Sequence, residues 1–303
     1  MLMKKQNTER ALEKAQERQD KSKKVGSLSY IWKSLTKNPA AMAGLIFLCF
    51  IVIMSFLSPY IIKYSYSAVN LADKFAKPSW THPFGCDSLG RDMLIRVFYG
   101  ARYTLAIGLG ATGIAAVSGV LIGALAGYFG GFLDNILMRF VDVVQSFPYM
   151  ILAIALAAAF GQGLANCIYA IGIALMPVFA RLIRANIFAI RGSEFIEAAT
   201  SINCSTSRTI FRHVIPNTIS PIIVQVSMSI AAAGLSAAAL SFLGLGVKEP
   251  FPEWGLMLST ARSFMRDYPH IVIIPGVFIV LTVLSLNLIG DALRDALDPK
   301  LKI

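Results

Sequence analysis

Few side chains in this sequence have the types and spacing that catalysis or metal binding needs. The three histidines, His82, His213 and His270, are scattered, and no two show the spacing of a zinc motif such as HExxH. His82 and His270 are expected on one side of the chain and could in principle meet a metal, yet scattered loop histidines are ordinarily just solvated. Cys49, Cys86, Cys167 and Cys204 lie apart without metal or redox spacing. There is no Gly-Lys dipeptide, hence no phosphate loop of the GxxxxGK[ST] kind. No catalytic, cofactor-binding or metal-binding residue is therefore expected, and an intramembrane enzyme is disfavoured.

One stretch does carry a pattern, SEFIEAATSINCSTSRTIFRHVIPN, residues 193–217. Apolar or small side chains fall at Phe195, Ala198, Ala199 and Ile202, the i, i+3, i+4, i+7 spacing of one helical face. Glu194 and Glu197 fall elsewhere; Ser193 can cap the helix, where Glu194 also suits the dipole. Asn203 tolerates the left-handed conformation that ends a helix. A second helix presents Ile210, Phe211, Val214 and Ile215 on one side and Arg208 and Arg212 on another. Pro216 disfavours helical geometry at Ile215 and is expected to end it there. This predicts a helix–turn–helix elbow with Ala198 and Ala199 on its exposed stripe. Its chemistry is mechanical: a short amphipathic helix between two membrane spans can dock into a partner's groove and carry the partner's motion into the spans. Periodicity alone also admits a merely interfacial loop.

The surrounding elements are those of a membrane protein. Of 303 residues, 56% are hydrophobic and 15% charged, against roughly 25% charged in soluble domains. Uncharged runs cover residues 38–62, 103–133, 143–180, 218–247 and 271–290; about 20 apolar residues suffice to span a bilayer. The third run is too long for one span and is divided by GQGLAN at 161–166. Six spans are predicted, at 41–62, 103–127, 137–160, 165–184, 218–243 and 271–290. The fold class expected is all-α, a polytopic membrane protein with about six transmembrane helices.

Charge orients them. Ten of the 28 Lys and Arg residues lie in the first 37 positions. With that basic tail inside, 19 fall on cytoplasmic segments and 9 outside, as the positive-inside rule requires. Both termini and the elbow are then cytoplasmic, and 63–102 and 248–270 external. About 37 polar residues before the first apolar run argue against a signal peptide. ERALEKAQERQDKSKK, which mixes both signs, reads as a solvated or interfacial helix. Topology and attraction to anionic lipid account for the net charge of +11 without a nucleic-acid role.

Further expectations attach to single segments. Residues from Arg91 onward have amphipathic spacing and are expected to lie along the outer surface. Gly119, Gly123 and Gly127 form overlapping GxxxG steps for close helix packing. Asp134, Arg139 and Asp142 could pair with one another, and Pro148 should kink the third span or start it. SFLGLG, residues 241–246, is expected to bend or re-enter. Ser227, Met228, Ser229 and Gly234 are candidates to line a pathway, although core packing explains them as well.

EAATSINCSTSRTIFRHVIPN resembles the cytoplasmic EAA loop of ABC importer permease subunits, whose pattern Glu197, Ala198, Ala199 and Pro216 match, with Asn203 in place of the usual glycine. HPFGCDSLGRD with GAR, AGYFGGFLDNILMRFVD, SFLGLGVKEPFPEWGLML and NLIGDALRDALDPKL extend the resemblance to C-type permeases of the dipeptide/oligopeptide/nickel branch. The resemblance covers roughly residue 38 to the end and implies the type I ABC importer permease fold, with 38–303 the transmembrane permease domain; residues 1–37, the cytoplasmic tail read from charge, have no counterpart in it. It also implies an outer loop at 63–102 and a coupling loop at 185–216 that fits an ATP-binding subunit. Glu194, Phe195, Glu197, Ala198, Ala199, Ile202, Asn203 and Pro216 would be the coupling residues. The implied partners are a second, B-type permease subunit as heterodimer, two ATP-binding subunits that hold ATP and Mg, an extracytoplasmic substrate-binding protein, and membrane lipid. The implied location is the bacterial cytoplasmic membrane. Dipeptides, longer peptides, glutathione-like peptides and nickel chelates all remain open as cargo. An ion-coupled secondary transporter is the contrasting reading, disfavoured because no Asp, Glu or His lies at the centre of a predicted span.

Overall fold

The computed structural model describes residues 28–297. The expected basic tail up to residue 27, and Lys300 and Lys302, lie outside the described residues. Within them regular structure is helical apart from one antiparallel bridge between Cys86 and Asp92.

A short amphipathic helix, α1 (Leu28–Lys37), leads into α2 (Pro39–Ile61). Asn38 breaks them apart: its side chain accepts from the amides of Ala40 and Ala41, and Pro39 takes the first helical position. Leu35 of α1 is buried with Ala41 and Ala292. The chain then runs through an irregular cap to α3 (Met93–Phe129), capped by Asp92, whose carboxylate accepts from Ile95 N. At 37 residues, α3 measures about 55 Å. The segment from Arg91 is thus no separate surface helix. Nothing between Met93 and Phe129 breaks the winding, and Met93, Val97, Phe98 and Ala101 are buried against Trp254.

Next come α4 (Gly131–Gln145), α5 (Tyr149–Phe160) and α6 (Leu164–Ile190). The expected third span is a bent pair: α4 and α5 meet at 85°. Pro148 sits at the N-cap of α5, as its missing N–H and fixed φ favour. α5 alone, with 12 residues, is about 18 Å long and cannot cross a hydrocarbon core of about 30 Å. The elbow follows, with α7 (Glu194–Ser201) and α8 (residues 206–217). α9 (Ile219–Phe242), the short α10 (Trp254–Ala261) and α11 (His270–Leu297) complete the chain. Five helices, α2, α3, α6, α9 and α11, are long and apolar enough to cross a membrane, or six spans if the bent pair counts as one.

α3 and α6 form the spine. A Cβ on Gly119 would lie 2.5 Å from Phe179 Cβ, one on Gly123 2.4 Å from the Ala180 carbonyl oxygen, and one on Gly127 3.0 Å from that of Arg184. The GxxxG stripe lets the two backbones touch, as expected. Ile107, Ala111, Ile171, Phe179, Ala237 and Leu240 fill the core between α3, α6 and α9. At the end opposite the elbow, here the cap end, Gly244 (φ +80) turns the chain out of α9, and Gly163 N donates to the Gly246 carbonyl at 2.9 Å. α10 folds back into the bundle with Trp254 fully buried, its Nε1 donating to the Val97 carbonyl at 2.8 Å. The bend expected at SFLGLG is therefore real.

Candidate functional site

The elbow is built on a reversal. Asn203 adopts φ +56, and the amide of Cys204 reaches back to the carbonyl of Ala199 at 3.0 Å. This is the six-to-one bond of a Schellman cap, with Asn203 in the position usually given to glycine. Ser193 Oγ donates to the Ile190 carbonyl at 2.6 Å, joining the end of α6 to the start of α7.

The two edges of α7 have different fates. Ile196 and Ala199 are buried, and Ile196 packs with Ile210, Val214, Ile183, Ile187 and Ala124. Phe195 is 42% exposed, Ile202 80% and Phe211 on α8 58%, and Ala198 and Glu194 are exposed with them. The expected single stripe is thus split. Ala199 faces the bundle, because 196 and 199 are one turn apart on the inner side while 195, 198 and 202 align on the outer. Glu197 is exposed at the helix surface.

Pro216 does not end its helix. Residues Ile210–Val214 wind as a π turn, and Ile215 and Pro216 continue in helical geometry. The wider turn shifts the hydrogen-bond register, which relieves the clash between a proline ring and the preceding carbonyls. Asn217 Nδ2 donates to the His213 carbonyl at 2.6 Å.

Ion pairs brace the elbow end. Arg184 grips both Asp134 oxygens, Nε at 2.5 Å and Nη2 at 2.6 Å, and Arg181 Nη2 meets Asp142 at 2.6 Å. Asp134 and Asp142 of α4 pair with α6 rather than with Arg139; Asp134 and Arg139, five residues apart, lie on different faces of one helix.

Beside the elbow, a cleft of about 520 Å³ opens between Leu182 and Asn186 of α6, Asn217 at the end of α8, Ser220, Gln225 and Met228 of α9, and Arg294 of α11. A second hollow of about 330 Å³ shares Gln225 and Met228 and adds Ser229 and Asn287. Of the four pathway candidates, Met228 and Ser229 line these spaces. Ser227 instead turns to α11, with its Cβ 3.3 Å from where a Cβ on Gly290 would stand, and Gly234 packs by Gly108 of α3. The amides Asn186, Asn217, Gln225 and Asn287 were missed as lining; for Gln225 and Asn287 an uncharged amide inside an apolar run was the available signal.

The cap end is a charged latch. His82 Nδ1 lies 2.7 Å from Asp92 Oδ2, so this histidine is buried and paired rather than solvated. Arg91 bridges Asp87 at 2.6 Å and Glu249 at 3.0 Å. Beside these carboxylates, burial pushes the Cys86 thiol up to about 12, which keeps it protonated and unreactive. Glu253 is fully buried; it accepts from the amides of Gly255 and Leu256 and from Thr104, and burial raises its pKa above the ordinary carboxylate range. Among the described residues no group of three or more His, Cys, Asp and Glu is placed to hold a metal. The arrangement suits a conduit and a lever.

Residues 119–303 match the family described as "binding-protein-dependent transport system inner membrane component". Residues 27–78 match the "N-terminal TM domain of oligopeptide transport permease C". The chain is 43% identical over 271 residues to a dipeptide transport system permease protein of Alkalihalophilus pseudofirmus, covering 89% of each chain. It is 42% identical over 272 residues to a glutathione transport system permease protein of Pectobacterium atrosepticum, covering 89% of this chain and 90% of that one. Among solved structures it superposes on an inward-facing MetNI methionine ABC transporter chain with TM-score 0.56 at 17% identity, covering 68% of this chain and 98% of that one.

Proposed function

The chain belongs to the family of binding-protein-dependent transport system inner membrane components, a membrane-spanning permease subunit of an ABC importer and not an enzyme, and from that premise we propose that its cargo is di- or oligopeptides. The relatives named for dipeptide and glutathione transport support peptides over nickel chelates. Family membership disfavours an ion-coupled carrier.

In this reading the chain supplies half of the translocation pathway, through the cleft and the adjoining hollow lined by Met228 and Ser229. A second, B-type permease subunit supplies the other half. The elbow, within residues 185–216, faces the cytoplasm together with both termini, and residues 63–102 and the cap end face outward, where an extracytoplasmic binding protein delivers the cargo. Two ATP-binding subunits hold ATP and Mg, each permease engaging one of them.

The observation that carries the coupling role is the outward edge of the elbow. Phe195, Ala198, Ile202 and Phe211 expose apolar surface on a segment between two spanning helices, and such a patch marks an interface. Ile196 packs the same helix against Ala124 of α3 and Ile183 and Ile187 of α6, so force applied at the outward edge reaches the spans. Glu194 and Glu197 supply polar contacts, and Asn203 and Pro216 set the angle between the arms.

Replacing Ala198 with Arg in the assembly purified with its native neighbours tests this. Uptake is expected to fall more than tenfold with membrane insertion intact, while ATP hydrolysis by the partner becomes uncoupled from transport. Full uptake by Ala198→Arg would remove the docking role. Identifying what the co-purified binding protein retains decides the cargo.

A further inference from the structure

Three amide side chains border the cleft between α6, α9 and α11, and each commits its NH2 group within its own helix. Asn186 Nδ2 donates to the Leu182 carbonyl at 2.8 Å, Asn217 Nδ2 to the His213 carbonyl at 2.6 Å, and Gln225 Nε2 to Ser229 Oγ at 3.1 Å. A carbonyl partner fixes the orientation of each asparagine, because only the NH2 end can donate. The carbonyl ends of Asn186, Asn217 and Gln225 accept no hydrogen bond among the described residues. Each of the three amides therefore keeps a free acceptor beside the cleft.

Among the described residues Arg294 is the one ionisable side chain lining either hollow. It is exposed and makes no ion pair among the described residues, although Asp291 and Asp295 lie on the same helix. A guanidinium is the natural fork for a carboxylate, and uncharged carbonyl acceptors suit N–H donors without holding them as an ion pair would. The volume, about 520 Å³, is of the size that takes a small extended ligand.

We propose that this cleft holds an extended amide chain by its C-terminal carboxylate, bound to Arg294, with the chain's N–H groups turned to the carbonyl ends of Asn186, Asn217 and Gln225. The inference rests on the peptide reading above and adds a direction to it: the carboxylate end leads toward the elbow end of the cleft. Free carboxylate is then read inside the membrane subunit itself, separately from any choice made by a binding protein.

The test uses the full assembly carrying Met228→Cys, with Cys49 and Cys204 changed to Ser, and no binding protein. The rate of maleimide labelling at position 228 is measured with Ala-Phe and with its C-terminal amide. Ala-Phe is expected to slow labelling at least fivefold and the amide less than twofold. Arg294→Gln should erase the protection by Ala-Phe without changing the rate in its absence, and Arg294→Lys should keep part of it. Equal protection by both peptides, or full protection in Arg294→Gln, overturns the proposal. If neither peptide protects while the same assembly, once supplied with its binding protein, imports Ala-Phe, the cleft inference falls and peptide import stands. If the unsubstituted assembly with its binding protein imports no peptide at all, the peptide reading falls and takes the inference with it.

Discussion

Arg184 holds both carboxylate oxygens of Asp134, at 2.5 and 2.6 Å, across the gap between α6 and α4. The pair lies where α6 descends into the elbow, so it fixes the bent α4–α5 arm to the helix through which elbow motion must pass. Asp134 is nearly buried while Arg184 is over a third exposed, which places the pair between the exposed and the buried limit. Asp134→Asn should cost about 1–2 kcal/mol, and a double-mutant cycle with Arg184→Gln should recover about 1 kcal/mol of coupling. Additive single effects in detergent unfolding would show that the two residues act independently.

Gly123 and Gly113 offer a matched contrast on α3. A Cβ on Gly123 would stand 2.4 Å from the Ala180 carbonyl oxygen, whereas one on Gly113 meets nothing within 4 Å. Gly123→Ala must push α3 off α6 and should destabilise by about 1–3 kcal/mol, as overpacking does. Gly113→Ala should leave stability equal or up to about 1 kcal/mol higher through helix propensity. Thermal unfolding of the two variants side by side checks this.

The left-handed residue at the elbow predicts an asymmetry. Asn203→Gly should keep uptake and coupling, since glycine takes φ near +56 without strain. Asn203→Ile places a β-branched side chain there, at a cost of about 1–2 kcal/mol or more, and should loosen the angle between α7 and α8. A drop in uptake with Ile but not with Gly is the expected readout.

Glu253 makes stability depend on pH. Its folded pKa is raised by burial, so the folded state keeps its proton after the unfolded chain has lost it. The carboxyl's favourable contribution is complete below its unfolded pKa and declines as pH rises through the folded one. The apparent melting temperature should therefore fall from pH 5 to pH 8, and fall less in Glu253→Gln. Glu253→Ala, which strips two capped amides and Thr104 of their acceptor, should cost about 2 kcal/mol at either pH.

Much of this was legible in the sequence, and the misses are of one kind. Asn203 and the turn at SFLGLG are local, since a left-handed residue and a turn glycine act within a few residues of themselves, and the GxxxG stripe is legible because three missing Cβ atoms invite a close neighbour whichever helix supplies it. Which arginine Asp134 would meet, whether Ala199 or Ala198 would face outward, and how Pro216 would be absorbed by a π turn all depend on a neighbour remote in sequence.

The sequence by itself determined a helical membrane protein with a charged elbow near its middle, because long uncharged runs can satisfy their backbones in lipid only as helices, and because an i, i+3, i+4 pattern can serve only a helix. Tertiary structure alone decided that α3 runs unbroken into the cap, that His82 is paired with Asp92, that α1 returns to α11 through Leu35, and that three amides from separate segments share one cleft. Periodicity records which face of a helix is apolar. It carries no record of what that face meets, since burial against another helix and burial in lipid demand the same side chains.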